Sequence, residues 1–364
     1  MEAEVKIESR GVFGAREGEA FIIAGPCSAE SESQVVQSAV ALSRLGRVHA
    51  LRAGIWKPRT RPDTFEGIGR VGLEWLKSAK AETGLPVAIE VANVKHVYEA
   101  LKTGVDILWI GARTTTNPFS VQEIAEALKG VSVPVLVKNP VNPDIDLWLG
   151  ALERLSHAGV TRLGAVHRGF SSYERSKYRN NPLWSIPLEL KRRQPGLPLL
   201  CDPSHICGAR EMIFDVSQRA MDLQFDGLMI ESHIDPGTAL SDARQQLLPV
   251  DLGSLLERLR FPRSRTTDEV FGSRLDELRE RIDSMDDQLI DILAKRMAVA
   301  EEIGRCKRES NISIFQRARW DNIVKSRVRS GLEKNLTEEF VVRLLEIIHQ
   351  ESIDHQAAVM SGRQ

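Results

Sequence analysis

Residues 134–169 read PVLVKNPVNPDIDLWLGALERLSHAGVTRLGAVHRG, and this stretch carries the pattern that decides the fold. An apolar run, PVLVKN (134–139), leads into the amphipathic LWLGALERLSHAG and returns to a second apolar run, RLGAVHRG (162–169). A run that is apolar at successive positions suits a parallel strand covered on both faces. The amphipathic stretch suits the helix of a parallel crossover, with Gly159 placed to be its C′ residue.

The same unit recurs from residue 20 to 260. The other runs are FIIAGPCS (21–28), VHALRAGIWK (48–57), PVAIEVA (86–92), ILWIGA (107–112), LPLLCDPSH (197–205) and GLMIESH (227–233), with helices such as VQEIAEALKG between them. Eight such units make an α/β chain of the TIM-barrel, (β/α)8, type. A doubly wound open sheet is the competing architecture, and a domain that ends after eight units favours closure.

In nearly every run the charged or ligand-type residue comes last: Cys27, Lys57, Glu90, Lys138, Arg168, His205 and Glu231, with Arg113 just after its run. In a parallel barrel these ends meet at one mouth, where active sites lie. Arg52, Lys57, Arg59, Arg113, Lys138 and Arg168 would repel one another there unless anions neutralised them, so phosphorylated and carboxylated substrates are expected. Cys27, His205, Glu231 and Asp242 offer a thiolate, an imidazole and two carboxylates, a set for a borderline transition metal rather than Mg²⁺ or Ca²⁺. Asp242 is expected to open the last barrel helix. His233, two residues beyond Glu231 on the same predicted strand, is a rival ligand.

The domains are expected at 1–260 (barrel), 261–272 (linker) and 273–364 (helical). FPRSRTTDEVFG (261–272) is polar and contains Pro262 and Gly272. From Ser273 the period changes: Leu275, Leu278, Ile282, Met285, Leu289, Ile292, Val299 and Ile303 follow 3–4 spacing on one helix. At about 35 residues it spans about 50 Å, too long for one small domain to cover. Shorter helices are expected at 316–330 and 337–359, the last opened by Thr337 with Glu338 and Glu339 in its first turn. An all-α domain of this kind should pair with a second copy, as a homodimer or higher.

The formal net charge of −1, with 42% hydrophobic and 27% charged residues, gives no reason to expect nucleic acid or a membrane as partner. The start, MEAEVKIESR, lacks the apolar core of a signal peptide, so a cytoplasmic protein with reduced cysteines is expected. Cys201 and Cys306 are assigned to core packing.

GPCS (25–28), KPRT (57–60), GAR (111–113), DPSH (202–205), and ESH (231–233) followed by LSDARQ resemble the type I, β-branch family of 3-deoxy-D-arabino-heptulosonate 7-phosphate (DAHP) synthases over about residues 15–260. The sister family that makes KDO8P shares the barrel, and KPRT favours the erythrose 4-phosphate user. The resemblance implies that phosphoenolpyruvate is held through Arg113, Lys138 and Arg168 at its phosphate, with Arg52, Lys57 and Lys138 near its carboxylate. Arg59 and Thr60 would take the phosphate of erythrose 4-phosphate. Cys27, His205, Glu231 and Asp242 would hold Mn²⁺ first, or Fe²⁺, Co²⁺ or Zn²⁺. Lys57 is the candidate proton donor to the new hydroxyl, and Glu90 the residue that orients water.

Arg296 falls on the apolar seam, 21 positions after Leu275, where a buried guanidinium needs an anion, internal or bound. Lys307, 11 positions on, faces the same way, whereas Arg279 faces elsewhere unless it reaches the other copy's site. LRERIDSMDDQLIDILAKRMAVAEEIGRCK is similar to the all-helical chorismate mutase family, a resemblance spanning about residues 273–356. It implies a site of Arg279 from the partner copy, Arg296, Lys307, Arg319, Ser352 and Gln356. The two arginines would grip the carboxylates of chorismate, while Lys307 and Gln356 would bond its ether oxygen. Gln316 and Trp320 depart from the family's Asp and Glu, which puts efficient turnover in doubt and leaves Trp320 as packing, against the barrel among other surfaces. With no ferredoxin-like domain expected before the first strand, the helical unit is the expected place for prephenate, as product, to inhibit. The alternative is a DAHP synthase whose helical unit only senses prephenate or chorismate.

Overall fold

Eight short strands, β1 (Phe21–Gly25), β2 (Ala50–Arg52), β3 (Val87–Val91), β4 (Ile107–Ile110), β5 (Val135–Lys138), β6 (Leu163–His167), β7 (Leu199–Cys201) and β8 (Gly227–Glu231), close into a parallel barrel in sequence order. The computed structural model describes residues 13, 19–57, 64–173, 176–262 and 268–361. The chain divides into two compact units, Met1–Ser264 and Arg265–Gln364.

Closure follows from how the apolar runs split between two faces. Ile23, Ala50, Ala88, Trp109, Leu136, Val166, Leu200 and Met229 point inward and form the barrel's interior together with Phe13. Their neighbours in sequence, including Ala24, Leu51, Ile89, Leu108, Val137, Ala165, Cys201 and Leu228, pack outward under the helices. Strands buried on both faces leave no polar edge, and the register from Phe21↔Gly227 to Gly25↔Glu231 joins β1 to β8. The open sheet is thereby excluded. At the end of β1, Gly25 has φ +151°, and a Cβ there would lie 2.1 Å from the Arg52 carbonyl oxygen. Only glycine lets β1 approach β2 this closely and deliver Cys27 to the mouth.

The crossover helix Ile145–His157 starts where the Asp144 side chain accepts from the Leu147 amide at 3.0 Å. Buried Trp148 donates from Nε1 to the Val137 carbonyl at 3.1 Å, which ties this helix to β5. The helix ends as expected, with Gly159 at φ +93° just after the cap.

Three expectations about element ends need correction. β2 stops at Arg52, so Lys57 reaches the mouth from a loop, its amide donating to the Glu66 carbonyl at 2.8 Å. β8 stops at Glu231, because Ser232 turns to bridge Leu247, so the alternation that made His233 a rival ligand does not extend to it. Asp242 does not open the last barrel helix: its φ of 51° interrupts helical geometry, and that helix runs Pro249–Arg258, with proline at its start.

The second unit contains a long helix, Glu269–Glu309, a middle helix, Arg317–Leu332, and a last helix, Glu338–Ser361. The long helix begins inside the stretch expected as linker, because Asp268 caps it through the Phe271 amide at 3.0 Å. Its 41 residues correspond to about 60 Å. The last helix lies so close to it that a Cβ on Gly304 would be 3.1 Å from the Gln356 Cα. Cys306 is exposed, contrary to its assignment to the core, since the face covered within this chain is that of Ala300 and Gly304. Among the described residues no helix is long and apolar enough to cross a membrane.

His355 on the last helix lies 2.8 Å from a Glu301 oxygen on the long helix. That hydrogen bond raises the imidazole above its ordinary value of 6.5. A raised folded value means that the pair's stabilisation is complete below pH about 6.5 and is lost as the pH climbs through the folded value. NMR titration of the full chain should place His355 above 6.5, and Glu301→Gln should return it towards that value. An unshifted His355 in the unaltered chain would contradict this docking of the two helices.

Candidate active sites at the barrel mouth and in the helical unit

At the mouth, ligand atoms of Cys27, Glu231 and Asp242 all lie within 4.8 Å of one another. His205, in the short helix Pro203–Cys207 after β7, is not one of this trio but borders it, with Nε2 3.7 Å from Glu231 Oε1. Its Nδ1 lies 2.8 Å from Asp202 Oδ2, on the side of the ring away from Glu231. His233 turns away, with Nε2 3.8 Å from Glu30 and Nδ1 accepting from the Asp235 amide.

The charges are arranged in opposed layers. Fully buried Glu231 accepts from Arg52 at 3.2 Å and from Gln245 Nε2 at 2.6 Å. Lys138 donates to Asp202 at 2.6 Å, and both Lys138 and Arg52 lie over Trp109, 5.7 and 5.1 Å from its ring centre. Lys57 Nζ is 2.7 Å from Cys27 Sγ, and Cys27 Sγ is 3.3 Å from Asp242 Oδ2. Burial pushes the Cys27 thiol up to about 12, with Glu231 adding to the effect and Lys57 opposing it. Burial works against Asp242 as well, yet Arg179, 2.9 Å away, and the other cations hold its carboxyl below the usual range. Asp202 is held well below that range against its own burial by His205 and Lys138.

Arg168 donates to Asn180 Oδ1 at 2.6 Å, and burial lowers it to about 10, with Arg179 and Arg113 adding repulsion. Those three cations therefore share one field. Glu90 accepts from Trp109 Nε1 at 3.2 Å, and a Cβ on Gly111 would fall 2.0 Å from its carboxylate oxygen. Gly111 is the opening into which Glu90 fits. Arg59 and Thr60 lie outside the described residues.

Arg179, Asp202, Gln245 and Gln246 were not assigned roles from sequence. Asp202 had a signal, as a carboxylate at a strand end inside the quoted DPSH. Gln246 accepts from the Cys27 amide at 2.9 Å and donates to the Ser241 carbonyl at 2.8 Å, so it fastens the Asp242 loop to the Cys27 turn. That link spans 219 positions and leaves no periodic trace.

In the helical unit, Arg296 donates to Ser352 Oγ, and Lys307 Nζ donates to Gln356 Oε1 at 3.1 Å and to the Ile314 carbonyl at 2.6 Å. Ser352 and Gln356 are buried. Of the two anions open to Arg296, internal or bound, no internal carboxylate pairs with it among the described residues; its partner is a hydroxyl, which leaves its positive charge available to a bound anion. Arg279 does not join this group; it is exposed and pairs with Asp276 at 3.0 Å. Arg319 and Gln316 are exposed on and before the middle helix. Trp320 packs against His349 within its own unit, ring centres 4.1 Å apart.

Residues 4–261 match the family model described as DAHP synthetase I family, and residues 278–357 match that of chorismate mutase type II. A curated phospho-2-dehydro-3-deoxyheptonate aldolase from Thermotoga maritima is 34% identical over 226 residues, 62% of this chain and 64% of that protein. The chain thus spans less than two-thirds of that relative. A 2-dehydro-3-deoxyphosphooctonate aldolase from Variovorax paradoxus is 30% identical over 261 residues, 66% of this chain and 88% of that protein. The crystal structure of the Thermotoga maritima DAHP synthase is similar at a TM-score of 0.60 and 33% identity, covering 66% of this chain and 68% of that one. A truncated form of the 3-deoxy-D-arabino-heptulosonate 7-phosphate synthase from the same organism gives 0.57 and 30%, covering 66% and 85%. The chain belongs to the DAHP synthetase I family, and its barrel is followed by a chorismate mutase type II domain.

Proposed function

We propose that the chain is a bifunctional enzyme of the shikimate pathway, working in the cytoplasm. Its barrel joins phosphoenolpyruvate to erythrose 4-phosphate, giving DAHP and phosphate, and its helical unit converts chorismate to prephenate. The observation that carries the first half is the meeting of Cys27, Glu231 and Asp242 with His205 beside Lys57, inside a wall of cations.

The donor set suits a divalent transition metal. One buried thiol and two carboxylates crowd together, a thiolate is a poor ligand for Mg²⁺, and burial lowers the His205 ring, which favours the neutral form that a ligand needs. We assign Cys27, His205, Glu231 and Asp242 as its ligands, with Mn²⁺ first and Fe²⁺, Co²⁺ or Zn²⁺ as alternatives. When bound, the metal supplies Lewis-acid polarisation of the aldehyde.

The chain's residues do the rest. Arg113, Lys138 and Arg168 hold the phosphate of phosphoenolpyruvate, with Arg52, Lys57 and Lys138 near its carboxylate, and Arg59 and Thr60 take the phosphate of erythrose 4-phosphate. Carbon 3 of phosphoenolpyruvate forms the new bond to the aldehyde carbon, and Lys57 gives the proton needed by the new hydroxyl. Glu90, fixed by Trp109, orients the water that adds at carbon 2, after which phosphate leaves by carbon–oxygen cleavage. The cation wall is in place before charge develops on the reacting oxygens, so it stabilises that charge without reorganising.

In the helical unit Arg296 and a partner copy's Arg279 grip the two carboxylates of chorismate, with Arg319 and Ser352 lining the site. Lys307 and Gln356 bond the ether oxygen, where negative charge grows as that bond breaks. A pericyclic step needs only positioning and charge stabilisation. Pairing is supported by the apolar seam: Ile282 and Ile292 are 56% and 61% exposed in the single chain. Prephenate binding in this unit is the proposed route of feedback on the barrel. The second reading, favoured by Gln316 and Trp320, is a DAHP synthase whose helical unit only senses prephenate or chorismate.

Chelation should abolish DAHP formation and added Mn²⁺ should restore it; Asp242→Ala should lose stoichiometric metal by calorimetry. Gln246→Ala should keep the metal but bind it about 10–100-fold more weakly. Undiminished synthesis in chelator would refute the metal assignment. Arg296→Ala should abolish prephenate formation in the full chain. No prephenate from the unaltered chain, with prephenate still inhibiting DAHP formation, would instead establish the sensor. Sedimentation should give a dimer or larger, and Ile282→Asp combined with Leu289→Asp should dissociate it; a monomeric unaltered chain would contradict pairing.

A further inference from the structure

His349 lies on the last helix with Ser352 and Gln356 three and seven positions ahead, so the three share one face. Those two residues receive the hydrogen bonds of Arg296 and Lys307, which places His349 on the site's wall. Trp320 stacks on its imidazole at 4.1 Å between ring centres and 15° between planes, and Phe315 borders it at 6.2 Å. The stack fixes the plane of the ring. Burial, with the fields of Arg296 and Lys307, lowers the imidazole below its ordinary value, so it is neutral at pH 7, with one N–H donor and one acceptor nitrogen. Nε2 is buried and has no hydrogen-bond partner among the described residues. A buried polar atom without a partner costs stability unless a ligand completes it.

Chorismate has two carboxylates and an ether oxygen, all acceptors, and one hydroxyl, the only O–H donor it carries at neutral pH. Arg296 and Lys307 offer donors alone, as does the Trp320 indole. Gln356 Oε1 is occupied by Lys307, and Ser352 Oγ receives Arg296 while donating to the Ile348 carbonyl at 2.6 Å. Of these side chains, the one with a buried acceptor still open is His349. Resting on the mutase reading and adding a residue to it, we infer that His349 determines specificity in the helical site: its Nε2, held by the stack on Trp320, accepts a hydrogen bond from the substrate hydroxyl.

The test uses the full chain, with chorismate and an analogue in which hydrogen replaces the hydroxyl. His349→Phe keeps an aromatic ring on Trp320 and removes both nitrogens; His349→Gln restores an acceptor. The expected result is a loss of about 10-fold or more in kcat/KM for His349→Phe on chorismate, little change on the deoxy analogue, and partial recovery in His349→Gln. Equal losses on both substrates would mean that His349 only packs, and no loss on chorismate would overturn the inference outright. If His349→Phe does not fold, as judged by circular dichroism, the same comparison of substrates on His349→Gln decides: a selective effect on chorismate supports the hydroxyl contact and an equal effect refutes it. Normal turnover by the unaltered chain with equal penalties sinks this inference alone. Absence of prephenate from the unaltered chain sinks the mutase reading and this inference together.

Discussion

Glu231 sits fully buried at the end of β8, and a lone carboxylate there would cost several kcal/mol. The mouth of the barrel is built around compensating it. Arg52 and Gln245 bond it directly, His205 faces it, and Cys27 and Asp242 crowd it with further negative or potentially negative groups. Arg179 and Lys57 in turn offset Asp242 and Cys27. On the proposed reading a dication completes this balance, and the thiol, held up near 12, is the member whose proton it would displace.

The helical unit solves a similar problem with less burial. Arg296 and Lys307 are met by uncharged partners, Ser352 and Gln356, which satisfy hydrogen bonds without cancelling charge. The two positive charges and the open acceptor of His349 form a recognition surface of complementary sign to a dianion that carries one hydroxyl. On the proposed reading each unit selects anions, one aided by a metal set and the other by fixed donors and an imidazole.

Much of this was legible in the sequence because both signals are periodic or positional. Continuous apolar runs such as PVLVKN revealed strands buried on both faces, and the polar residue ending each run revealed the mouth. The 3–4 spacing from Leu275 to Ile303 revealed the long helix. Contacts made by loops were not legible. Arg179 reaches Asp242, and Gln246 reaches Cys27, across 63 and 219 positions and through irregular backbone. Asp242 was grouped with the metal set by its ligand chemistry but placed at the start of the last barrel helix; its left-handed backbone puts it in a loop instead. His349 carried no signal in the sequence, and only its stack on Trp320 and its unpartnered nitrogen set it apart.

X-ray absorption on the zinc-loaded full chain tests the proposed metal centre most directly, because it reads the ligands without any assay of turnover. The expected result is one sulfur at about 2.3 Å beside nitrogen and oxygen ligands, with the sulfur absent in Cys27→Ser. Bound metal with no sulfur neighbour, or with its sulfur unchanged in that variant, would contradict a metal centre built on Cys27, His205, Glu231 and Asp242.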